Sequence, residues 1–205
     1  MKKLGLLLLP ILAITLMLGG NAFAQNVGDD SVYFVTYYSN ANTSGAPDGT
    51  LRIVNDGDTG GTLYAAIYVF DDSQEMRSCC ACAITADGML SESVNKELTS
   101  NEFTGRGEMT RGVIKVISSS TWDPTAPWPS TGLRGWMTHI QATTTTLAAG
   151  KQAVEKGPFF VTETALADSN LSMTEQGNLG TLCSYGLTIG SGYGLCPCTV
   201  EDYDF

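Results

Sequence analysis

Six cysteines in two groups constrain this chain more than any other feature. Cys79, Cys80 and Cys82 form a CCxC run, and Cys183, Cys196 and Cys198 lie far downstream. In an oxidising compartment such cysteines are structural disulfides. Bonds within a group are disfavoured, because adjacent Cys79 and Cys80 would close a strained ring and Cys196 with Cys198 is nearly as tight. Of the 15 connectivities open to six cysteines, only six join the two groups throughout. Each such bridge closes a loop of roughly 100 residues, for which chain entropy gives about 4 to 5 kcal/mol for the first bridge and less for the later ones. The expectation is a C-terminal region fastened to the segment around Cys79.

Two other chemistries compete for the same residues. Cys79 and Cys82 have the CxxC spacing of a redox pair, but no βαβ pattern surrounds them to lower a thiol pKa. Zinc accepts four thiolates in tetrahedral geometry, and CxxC combined with CxC is an imperfect version of that spacing. A thiol or metal-binding protein using these cysteines is therefore an alternative to the disulfide reading.

Oxidation requires export, and the N-terminus predicts it. Lys2 and Lys3 precede an apolar run from Leu4 to Leu18, and Ala22-Phe23-Ala24 follows as a small-x-small site. This is the pattern of a signal peptide spanning 1–24, cleaved between Ala24 and Gln25. The run is shorter than the ~20 apolar residues that cross a bilayer, and no spanning run follows it, so the mature chain 25–205 is expected to carry no membrane span. Removing Lys2 and Lys3 takes Lys+Arg from 11 to 9 against 21 Asp+Glu, a net charge of −12. A chain this acidic, with no basic cluster, repels phosphate backbones, which excludes nucleic acid as a partner.

The mature chain is long enough for one domain with a sizeable core. Its hydrophobic pattern is that of strands. Ser31–Ser39, Leu51–Asn55, Thr62–Phe70, Met89–Val94, Val113–Ser118, Leu133–Thr143 and Phe159–Ala167 are apolar or alternating runs rich in β-branched and aromatic residues. Leu51–Asn55 and Thr62–Phe70 flank the Gly/Asp-rich DGDTGG and read as a hairpin. The second of these is apolar at almost every position, which predicts burial on both faces. Thr121–Gly132 holds three prolines and reads as a rigid loop. One helix is expected near the C-terminus. Ser172 and Glu175 make an S-x-x-E capping pair ahead of a face formed by Leu179, Leu182, Cys183, Gly186 and Leu187, with Gly190 as the stop. The fold class that follows is mainly β: a single antiparallel β-sandwich-like domain with one C-terminal helix, stapled by disulfides.

The segments YVFDDSQEM, SCCAC, SVNKELTSN and GYGLCPC resemble a family of secreted bacterial proteins of unknown function, marked by CCxC and a C-terminal CxC. The resemblance runs from about Leu51 to Cys198. It implies one secreted domain with a cysteine-marked hairpin, and it assigns no activity or catalytic residue.

The remaining candidates are few. His139 is the only histidine and would have to serve as base in any Ser-His or Cys-His mechanism; no G-x-S-x-G or HExxH accompanies it. Asp56 and Asp58, with Asp71 and Asp72, are weak metal candidates near strand ends, since secreted sandwiches often hold calcium in loops. The EF-hand pattern fails, with Gly60 and Ile67 where ligands belong, and an Asp-Gly turn is the simpler reading. Trp122, Trp128 and Trp136 are candidates for stacking on sugar or anchoring a protein partner. The competing expectation has them capping one end of the core, because tryptophan is mostly buried. The chain thus reads as a secreted or cell-surface, non-enzymatic protein acting through binding or assembly, with a protein or glycan partner. A carbohydrate-active module is the alternative.

Overall fold

The computed structural model describes residues 31–99, 109–147 and 151–189, together with Cys196 and Cys198. Segment 1–24 and the expected stop at Gly190 lie outside them. Among the described residues, nine strands form two antiparallel sheets. They are β1 (Tyr33–Tyr38), β2 (Thr50–Asn55), β3 (Leu63–Asp71), β4 (Met76–Ile84), β5 (Met89–Ser93), β6 (Gly112–Ser119), β7 (Leu133–Leu147), β8 (Lys151–Ala165) and β9 (Ala167–Asp168). One sheet has the order β4-β3-β6-β1-β9 and the other β5-β2-β7-β8. A π-helical turn, Val94–Leu98, follows β5, and helix α1 spans Met173–Ile189.

The molecule has three layers, and the period-two alternation of each strand assigns its side chains between them. Leu63, Ala65, Ile67 and Val69 of β3 face Leu51 and Ile53 of β2 and Met137 of β7 in the core between the sheets. Ala66 and Tyr68 face the other way, into a second core with Tyr33, Ile117 and the α1 residues Leu179 and Cys183. This is why β3 is apolar almost throughout: one face meets a sheet and the other a helix.

The hairpin expected between β2 and β3 does not form. The two strands lie in different sheets, and the segment between them crosses from one sheet to the other. Asn55 locks that crossing. Its side-chain amide donates to the carbonyls of Gly61 and Ile84, both at 2.9 Å, and its backbone N–H donates to Gly88. Gly57 stands at φ +82°, and an added Cβ would run into the Asp87 carboxylate. The strand that does pair with β3 along the chain is β4, the cysteine segment itself, with Ile67 opposite Cys80 and Tyr68 opposite Cys79.

Helix α1 starts as its sequence predicts. The Ser172 hydroxyl accepts the Glu175 N–H at 3.0 Å. The Glu175 carboxylate turns away from the cap and accepts from Lys115 Nζ at 2.5 Å and the Tyr33 hydroxyl at 2.9 Å, tying the first turn to the sheet. The packed face is narrower than expected: Leu179 and Cys183 are buried, whereas Leu182 and Leu187 are exposed.

Three disulfides join the two cysteine groups: Cys79–Cys183, Cys80–Cys196 and Cys82–Cys198. Alternation along β4 sends them to different layers. Cys79 faces α1 and staples the helix to the sheet, while Cys80 and Cys82 face the core between the sheets. β4 is the edge strand of its sheet, and Cys196 and Cys198 are bonded to its inner-facing cysteines. Among the described residues no helix is long and apolar enough to cross a membrane. Three disulfides fit an oxidising, extracytoplasmic compartment.

Candidate functional site

The loop joining β6 to β7 is pinned to the layers beneath it from several sides. At its base Ser120 N–H donates to the Trp128 carbonyl at 2.9 Å, and Trp128 N–H is shared between the hydroxyls of Ser119 and Thr121 at 3.0 and 3.1 Å. Inside it, the Asp123 carboxylate accepts from the Thr125 hydroxyl at 2.7 Å and its N–H at 2.8 Å, which holds the Asp123 pKa below the usual carboxylate value. Beneath it, the buried Tyr68 hydroxyl donates to the Pro124 carbonyl at 2.7 Å, and Gln176 of α1 donates to the Pro127 carbonyl at 2.7 Å. Burial is the main reason the Tyr68 hydroxyl is pushed well above its ordinary pKa of 10.0, so it stays a donor. Gly180 of α1 sits against the Thr125 carbonyl so closely that a Cβ would collide with it.

The loop turns two of its tryptophans outward and two of its prolines inward. Pro124 and Pro127 are buried under the loop. Trp122 and Trp128 are 73% and 71% exposed and do not cap the core. Proline presents an apolar ring and, unlike tryptophan, no side-chain donor that needs a partner, so it suits the buried side of a turn. Trp136 belongs to a different surface. It is a strand residue of β7, paired with Arg52 and Ala165 on the four-stranded sheet and 37% exposed.

The exposed aromatic surface continues along α1. Tyr185 is 64% exposed and stands between two depressions. One is shared with Thr125 of the pinned loop and with Gly180 and Ser184. The other, of about 320 Å³, lies against Met76, Cys79 and Leu182 beside the first disulfide. The sequence reading put Leu182 on the packed side and did not single out Tyr185. Their spacing of three on a helix is the signal that places them together.

The acidic candidates are not brought together. Asp56 and Asp58 lie at one end of β3 and Asp71 and Asp72 at the other, roughly 25 to 30 Å apart at the rise of an extended strand. Asp56 accepts the Asp58 N–H at 3.1 Å and faces Arg134 at 3.4 Å. Asp71 is buried, which pushes its pKa up, but the N–H groups of Glu75 and Ser73 and the Arg77 guanidinium outweigh this and hold it low. Asp72 pairs with Arg111 at 2.8 Å. These carboxylates close turns and pair with arginines, and they do not form one oxygen cage.

His139 joins the sheets. Its ring stacks on Tyr37 of β1 with centroids 4.2 Å apart, and Nε2 shares a 2.7 Å hydrogen bond with the Thr164 hydroxyl of β8. Burial lowers its pKa from 6.5, against the opposing pull of the Tyr37 backbone.

No family model matches this chain, and no curated protein does. Among solved structures it is similar to the Anabaena sensory rhodopsin transducer, at 12% identity and a TM-score of 0.35 over 50% of this chain and 89% of that one. A likeness that low supports no inference of function.

Proposed function

We propose that this protein is exported through its 1–24 signal peptide and acts without catalysis, by binding a partner at the cell surface through the aromatic face formed by the pinned loop and α1. The observation that carries the reading is the pair of exposed indoles, Trp122 and Trp128, on a loop whose backbone is already fixed from below. A preordered loop loses little conformational entropy on binding, and tryptophan and tyrosine are the residues that dominate binding energy at interfaces. Tyr185 and the adjoining depressions extend that face along the helix. The sole histidine is spent on packing between strands, which speaks against a His-dependent hydrolase.

A second reading has the same support. Exposed indoles on a fixed loop are suited to stacking on sugar faces, which would make the loop a carbohydrate-binding element. Binding of the mature protein to isolated cell envelopes, compared with the Trp122→Ala/Trp128→Ala variant, tests the surface. The expected result is at least a tenfold loss of affinity with an unchanged melting temperature. Equal binding by the variant, or none by either protein, overturns the reading. A glycan array positive for the parent and negative for the variant moves the partner to carbohydrate.

A further inference from the structure

We propose that Cys80, Cys82, Cys196 and Cys198 form a latent four-thiolate site for zinc, which takes the place of two disulfides when these are reduced. Cys80 and Cys82 are two apart on β4 and share its inner face, so the bridges Cys80–Cys196 and Cys82–Cys198 lie side by side. The sulfurs of Cys80 and Cys82 are 3.7 Å apart without being bonded. Those of Cys80, Cys82 and Cys198 all fall within 4.8 Å of one another, and the Cys196 sulfur is bonded to that of Cys80. A tetrahedral zinc with Zn–S bonds of about 2.3 Å has sulfur–sulfur edges of about 3.8 Å. One edge of that tetrahedron therefore already exists in the disulfide state.

The remaining edges are within reach. The Cα atoms of the two bridged pairs are 5.4 and 5.3 Å apart, so rotation of the cysteine side chains separates the sulfurs without moving strands. The donor set is all thiolate, which selects a soft or borderline cation over calcium or magnesium. Cys80, Cys82 and Cys196 are buried, while Cys198 is only partly so and offers the ion a way in. Cys79–Cys183 lies on the opposite face of β4 and takes no part. The structure thus exchanges the CxxC of the sequence for a CxC–CxC pair at the core between the sheets.

In the reaction each bridge accepts two electrons and two protons from a dithiol, which is itself oxidised to a disulfide. Zinc then displaces up to four protons from the four thiols. Both states hold Cys196 and Cys198 to β4, by covalent bonds in one and by the metal in the other. This inference is independent of the aromatic face.

The test uses the full mature chain reduced with a phosphine, which supplies the same electrons without competing for zinc. At micromolar zinc, native mass spectrometry should show one zinc per reduced chain and none on the oxidised chain. Alkylation followed by peptide mapping should then find Cys79 and Cys183 labelled and the other four protected at least tenfold. The Cys79→Ser/Cys183→Ser variant should keep the zinc, and Cys80→Ser should bind it at least tenfold more weakly. No zinc on the reduced chain, equal labelling of all six cysteines, or full zinc affinity in Cys80→Ser would overturn the proposal. Because the labelling pattern is read on the parent chain, poor folding of a variant does not leave the question open.

Discussion

The two sheets share one core but are covered differently on their outer sides. The five-stranded sheet is covered by α1 and the pinned loop, and its interior strand β3, between β4 and β6, is buried on both faces. The four-stranded sheet ends in β8, whose residues 160–165 are all exposed. Both β3 and the FFVTETA stretch of β8 look like good strands in the sequence. What separates them is position: one lies between two layers, and the other is an edge strand that no element packs over among the described residues.

The largest expected effect sets these two strands against each other. Ile67→Ala in β3 removes a fully buried side chain between the sheets and should cost about 3 to 4 kcal/mol. Val161→Ala in β8 should fall within about 0.5 kcal/mol, as for other exposed sites. Urea denaturation of both variants measures the difference, and similar losses would break the comparison.

Next comes the staple between helix and sheet. Cys79→Ser/Cys183→Ser should lower stability by about 2 to 3 kcal/mol, less than a lone bridge would give because the other two still restrict the chain. Hydrogen exchange should show the loss concentrated in α1, with β7 and β8 unchanged. Uniform loss of protection would mean that the helix layer and the far sheet act as one unit.

Two glycines of α1 sharpen the contrast within the covered face. Gly177 has open space around its Cα, so Gly177→Ala should stabilise by about 0.5 to 1 kcal/mol through helix propensity. Gly180 faces the Thr125 carbonyl, so Gly180→Ala should destabilise by about 1 to 2 kcal/mol and shift Trp122 and Trp128 fluorescence as the loop lifts. Thermal melts with tryptophan emission read both, and equal effects would deny the close approach.

The smallest effect is one of pH. The folded-state pKa of His139 lies below its unfolded value of 6.5, so the unfolded chain binds the extra proton first. Its contribution is full above pH 6.5 and is lost as pH falls towards the folded value. Glu175 responds lower. The bond from Lys115, then that from Tyr33, outweighs burial and depresses its pKa, so its contribution holds above 4.5 and is lost as pH falls below that. Denaturation midpoints should therefore dip just below pH 6.5 in the parent but not in His139→Gln, with a second fall near pH 4 in both. A first dip that survives in His139→Gln would assign it elsewhere.

The resemblance among strands in the sequence explains where reading the chain alone goes astray. An alternating run identifies a strand and its two faces, but not its neighbours, because hydrogen bonds between strands are made by backbone groups common to all residues. Thus β2 and β3, adjacent along the chain, were expected to pair and do not, while the CCAC segment, read for its thiols, is the strand that pairs with β3. Average burial favours capping over stacking for the tryptophans, whereas the loop buries Pro124 and Pro127 and exposes Trp122 and Trp128.

The strand runs, the Ser172 cap, the mainly β class and the linking of one cysteine group to the other follow from local pattern and short-range geometry. These depend on residues near one another in the chain, or on the inability of near neighbours to bond. Tertiary structure alone decided which sheet each strand joins, which of the six connectivities forms, and which aromatic side chains face water. Those outcomes depend on how three layers stack. Alternation on β4 then does the rest, sending Cys79 to the helix and Cys80 and Cys82 to the core, because successive side chains of a strand point to opposite faces.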